Sequence, residues 1–156
     1  MRWSGIACLA HLALLSTNQA SAASDMDVLK QFGMLGHVAV DCSAPYSIRN
    51  PHLIFTADAD GNVTRTLRMT RDPDTTTSMR NLRMVGPATL QYEEADRQSE
   101  MTISIIKQAN GTFRSWRSVR TNGPKKGEVL IADGRFPEGT ETVAFTFCGL
   151  EDVQPR

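Results

Sequence analysis

Hydrophobic and polar positions change period once along this chain. Val28, Leu29, Phe32 and Leu35 follow Asp25 and Asp27 at spacings that put them on one side of a helix, and this predicts a short helix over 25–35 that Gly33 and Gly36 end. Beyond it the apolar positions alternate. Ala88, Leu90 and Tyr92 stand against Thr89, Gln91 and Glu93; Met101, Ile103 and Ile105 form a second set, and Val143, Phe145 and Phe147 a third. These sets are the expected core. Strands are expected near 37–42, 52–57, 62–69, 78–85, 88–94, 100–108, 112–120, 127–136 and 141–148.

The connectors set the strand order. Asp60-Gly61 and Asn110-Gly111 supply the positive φ of tight hairpins, and Gly86-Pro87 leaves space for only a short link, so neighbouring strands pair antiparallel. Longer connectors cover 43–51, 71–77 and 121–126. Eight or nine strands in a meander must deal with two exposed edges, and closure removes both. The expected fold is therefore all-β, an antiparallel up-and-down barrel with a short N-terminal helix; a two-sheet sandwich is the alternative.

Composition narrows the class. The 156 residues are 40% hydrophobic and 22% charged, which suits one globular domain and excludes a disordered tail, a collagen-like repeat and a multispan membrane protein. Residues 1–22 read as an export signal: Arg2, an apolar run from Ile6 to Leu15, then Ala20-Ser21-Ala22 as a small-x-small cleavage site. The run is shorter than the roughly 20 residues that span hydrocarbon. Residues 23–156 are then the single domain, periplasmic or secreted, with no stable membrane anchor after cleavage. Lysine plus arginine and aspartate plus glutamate stand at 17 each, and loss of Arg2 leaves 16 against 17, a balance that gives no support to nucleic-acid binding.

Cleavage would also remove Cys8, leaving Cys42 and Cys148 in an oxidising compartment, and a disulfide between them is expected. Closing a loop of about 105 residues contributes on the order of 4–5 kcal/mol in the chain-entropy model. It would tie the first strand to the last. A reactive thiolate or a metal pair is the competing reading, and neither a C-x-x-C spacing nor a third ligand supports it.

The alternation breaks at arginines. Arg65 is in phase with Val63, Leu67 and Met69, and Arg117 with Phe113 and Val119, so both are expected to point where apolar residues point. Such a guanidinium either lies at the barrel rim on its aliphatic stem or enters the lumen, where it needs a carboxylate from a protein acid such as Asp133 or from a ligand. On this phase Arg117 is less exposed than Arg114 or Arg120. The other face, Arg114, Trp116, Ser118 and Arg120, forms a basic stripe around an aromatic.

Other chemistry is thin. Asp58-Ala59-Asp60-Gly61-Asn62 resembles a calcium loop only in outline, because its glycine is fourth and no glutamate follows at the required place. His37 and Asp41 share a strand face without a third ligand. Glu93 and Glu94 point to opposite faces. No nucleophile elbow, phosphate loop or H-E-x-x-H is present, so no enzyme activity, metal or cofactor is expected.

Val38 to Pro51 with Asp41-Cys42-Ser43, Thr66-Leu67-Arg68-Met69, Phe113 to Ser118 and Ile131 to Phe136 together resemble an uncharacterised family of small exported bacterial proteins, over about 38–148. That resemblance implies no activity. The architecture is also similar to lipocalin-like barrels, with Gly36-His37-Val38 where those carry Gly-x-Trp. The functional expectation is a non-enzymatic binding module. Either a small amphipathic or anionic ligand sits in the barrel with its head near Arg65, Arg117 and Trp116, or an envelope protein is bound or inhibited through the Arg/Trp face or the long loops.

Overall fold

The structure, a computed structural model, describes residues 23–70, 73–95 and 100–150. The expected signal segment 1–22 and its cleavage site lie outside the described residues. Helix α1 spans Asp25–Phe32, and nine strands follow: β1 Gly36–Ala39, β2 His52–Ala57, β3 Val63–Arg68, β4 Thr75–Gly86, β5 Thr89–Ala95, β6 Glu100–Lys107, β7 Phe113–Arg120, β8 Val129–Ile131 and β9 Ala144–Gly149. Among these, no helix is long and apolar enough to cross a membrane.

The barrel closes through eight of the nine strands. Strands β1 to β7 pair antiparallel in sequence order, and β9 completes the ring by pairing with β7 and β1. Strand β8 lies outside the ring against β7 alone. The expected strand over 127–136 is thus a three-residue strand followed by a tight turn. Asp133 and Gly134 both have positive φ, which is the two-residue hairpin geometry, and Ala132 bridges Arg135 across it. Thr142 holds this excursion against β7: its hydroxyl donates to the carbonyls of Ser115 and Gly134 at 2.9 and 3.1 Å.

Helix α1 covers one end of the barrel because its local signals and its apolar side agree. Ser24 caps it, accepting from the Asp27 amide while Asp27 accepts in return, and Gly33 ends it in the left-handed region. Val28, Leu29 and Phe32 join the core with Met34, Phe55, Leu90, Tyr92, Ile103, Ile105 and Phe113, and the Phe32 and Phe113 rings meet at 5.5 Å. A bulge in β4, with Asn81 at φ 55°, turns Leu82 into this core. The Leu82 amide then donates to Asp25 at 2.9 Å.

The disulfide between Cys42 and Cys148 is present, with α-carbons 5.5 Å apart, and it joins the end of β1 to β9. Gly36 permits that closure. A Cβ there would lie 2.6 Å from the Gly149 carbonyl, so only glycine lets the first and last strands approach so closely. Of the three expected core sets, Leu90 and Tyr92 are buried, while Ala88 is an exposed residue of the turn before β5. Ile103 and Ile105 are buried and Met101 and Phe145 pack against the core, but Val143 and Phe147 are 45% and 40% exposed. Val143 falls before β9, where buried Thr142 takes the inner position, and Phe147 borders the irregular register between β1 and β9.

Candidate functional site

The lumen holds a cavity of about 110 Å³. Leu53 and Phe55 of β2, Ile103 and Ile105 of β6, Phe113 and Phe145 give it an apolar wall, and Arg65, Tyr92, Glu94, Arg114, Ser115 and Ser118 supply its polar groups. Arg65 is inside as its phase predicts. Its Nε and Nη2 donate to the two carboxylate oxygens of Glu94 at 3.2 and 3.0 Å. The side chains are 17% and 5% exposed, so this is a two-pronged pair mostly withdrawn from water. Glu93, on the opposite face of β5, accepts from Asn81 instead. Burial pushes the Tyr92 phenol well above its ordinary range, with smaller opposing effects from Arg65 and Glu94, so the hydroxyl stays protonated.

Arg117 is the main correction to the sequence reading. It is exposed, and its side chain makes no hydrogen bond or ion pair among the described residues, whereas the Arg114 and Arg120 side chains are only 20% and 22% exposed and are paired with Glu141 and Glu128. A bulge causes the reversal. Ser104 pairs with Arg117 and Ile105 with Ser115, so Trp116 is an extra residue in β7, and the residues beyond it change face. Ser115 and Ser118 therefore line the cavity, while Arg117 leaves the lumen. Asp133, the expected partner of Arg117, is a turn residue. Trp116 is 37% exposed, and its ring covers Gly134, where a Cβ would lie 3.2 Å from it. The three candidate residues are thus not one site: Arg65 belongs to the lumen, Trp116 and Arg117 to the outer wall.

A second polar cluster escaped the sequence reading. Asn50 is buried at the foot of the 41–50 connector; its amide donates to the carbonyls of Asp41, Ala44 and Pro45 at 3.0, 3.0 and 3.1 Å, and its oxygen accepts from the Asp41 amide at 2.8 Å. His52 Nε2 lies 3.0 Å from the Asn50 amide and 3.1 Å from the Ala44 carbonyl, and His52 Nδ1 is 3.0 Å from His37 Nε2. The histidines thus tie the connector to β1 and β2. Asp41, expected to face His37, instead accepts from the amide and hydroxyl of Ser43, which hold its carboxyl below the usual range. Asp58 of the calcium-like segment accepts from the amides of Asp60 and Asn62 and from the Asn62 side chain, as a hairpin turn does.

No family model, no curated protein and no solved structure matches this chain.

Proposed function

We propose that this protein is an exported, non-enzymatic binding module whose partner is a protein of the cell envelope, engaged through the outer surface of the barrel. The observation that carries this reading is the contrast between Arg65 and Arg117. The luminal guanidinium already has its carboxylate in Glu94, and the space beside it, about 110 Å³, is well below the roughly 300–1,000 Å³ of sites that enclose a whole small molecule. The outer guanidinium is exposed and unpaired among the described residues, next in sequence to a half-exposed tryptophan. Arginine and tryptophan are the residue types on which protein interfaces concentrate their energy. Around them, Arg83 donates to Gln91, Gln91 donates to Ser104, and Ser104 pairs in register with Arg117, a row across four strands with an arginine at either end and no acid between. Such a row suits an acidic partner. The Cys42–Cys148 bond supports an oxidising compartment.

The test is photo-crosslinking in the producing cell, with benzoylphenylalanine at Thr102, beside Ser104 and Arg117 on the outer face, or, as a control, at Thr66 on β3. A discrete heavier adduct from position 102 alone, lost in Arg117→Glu, is the expected result. Adducts from neither position, or equally from both, would overturn the reading.

A luminal ligand remains the second reading, because Arg114, which lines the cavity, has a buried Nε without a hydrogen-bond partner. In that case a short ligand, or one end of a longer one, would accept from Arg114.

A further inference from the structure

The connector between β1 and β2 carries features that neither the lumen nor the Trp116 wall uses. Ser47 and Asn50 bridge each other through both backbone amides, and Ile48 and Arg49 form the tip of the turn. Ile48 is 72% exposed. An isoleucine that far into water gains nothing from folding, and a polar residue would serve the turn equally well. The tip stands beside an open groove of about 420 Å³, lined by Tyr46, Ser47, Ile48, Arg49, Met69 and Thr70. Among the described residues, Arg49 is exposed and without a partner, and none that lines the groove with it is an acid. Asp41 accepts from Ser43, and Asp74 is paired with Arg68 at 2.7 Å.

The same connector is held unusually firmly for a surface segment. The Cys42 disulfide fixes its start, the Asn50 side chain bonds to three of its carbonyls and one amide, and His52 adds a further tie to Ala44. A segment ordered in advance loses little conformational entropy when it binds, so its exposed apolar tip yields more of its contact energy as affinity.

We propose that the Tyr46–Arg49 tip and its groove form a recognition site for a protein segment in which an acidic side chain is flanked by apolar ones. The carboxylate pairs with Arg49, and the apolar neighbours pack on Tyr46, Ile48 and Met69. The site stands on its own observations and does not depend on the Trp116 wall.

The probe is the peptide acetyl-Leu-Glu-Leu-amide, with acetyl-Leu-Gln-Leu-amide as its uncharged counterpart, added to the isotope-labelled, disulfide-intact protein while amide chemical shifts are followed. The acidic peptide should move the amides of residues 46–49 and 69–70. The glutamine peptide, and Arg49→Gln with the acidic peptide, should each bind about two- to fivefold more weakly, since an exposed charge pair is what they lose. Arg117→Gln should bind unchanged. Thermal unfolding of Arg49→Gln within about a degree of the parent separates loss of the site from loss of the fold. The proposal is overturned by no shifts at tens of millimolar peptide, by equal binding of the two peptides, by shifts centred on Tyr92 or Trp116, or by concentration-dependent shifts without peptide, which would mean that a second copy covers the groove.

Discussion

Removing one member of the Arg65–Glu94 pair should cost more than removing both. Glu94→Leu strands a guanidinium that cannot shed its proton, in a cavity whose apolar wall includes Leu53, Phe55, Ile103 and Ile105. Breaking a buried pair in this way costs about 3–5 kcal/mol, and the 17% exposure left to Arg65 lets water offset part of that, so a loss of roughly 2–3 kcal/mol is expected. Arg65→Met leaves the more deeply buried carboxylate alone, at 5% exposure, and should lose at least as much. The double variant replaces both charges by apolar groups of similar volume, and should return to within about 1 kcal/mol of the parent. Urea unfolding of the four proteins gives the coupling energy directly, provided that the slopes agree. The reasoning fails if Glu94→Leu costs less than about 1 kcal/mol, or if the losses simply add. Either result would mean that Arg65 does not depend on Glu94 and is free to meet a ligand.

Reducing the disulfide, or replacing both Cys42 and Cys148 by serine, should cost on the order of 4–5 kcal/mol in a denaturant titration, and Ellman's reagent should find no free thiol in unreduced, unfolded protein expressed without residues 1–22. Gly134→Ala puts a Cβ against the Trp116 ring at a φ of 72°; a loss of about 1–2 kcal/mol is expected, with a change in tryptophan fluorescence that Gly139→Ala, in open space, does not show. The Tyr92 phenol is raised in the folded state, so its contribution to stability is intact below the ordinary phenol range near pH 10 and is lost as the pH rises above it. Tyr92→Phe should therefore unfold at a higher pH than the parent in an alkaline titration followed by circular dichroism.

The barrel was legible because its strands and hairpin glycines agree with each other. Leu90 and Tyr92 face the core as their alternation requires, and Gly61 and Gly111 take the positive φ their turns demand. The short helix was legible from its stripe, with the Gly33 cap marking its end. Arg117 was not, because strand periodicity carries phase only while the pairing is regular. One extra residue at Trp116 reverses every face beyond it, and nothing local in Arg114-Ser115-Trp116-Arg117 announces the bulge. The excursion after β8 did carry a signal: Asp133-Gly134 has the same turn chemistry as Asp60-Gly61, but its apolar neighbours Ile131 and Phe136 read as one continuous strand. The Glu94 partner of Arg65 and the Asn50 cluster depend on contacts between strands or across a connector, which spacing along the chain does not encode.

Native mass spectrometry of the protein released from its own cell envelope tests the outward-facing account most directly. The predicted species is the disulfide-bonded chain beginning at Ala23, without any small molecule, together with a complex containing a second protein that dissociates in Arg117→Glu. A stoichiometric small-molecule adduct, retained in Arg117→Glu and lost in Arg114→Met, would contradict the account and place the function in the lumen.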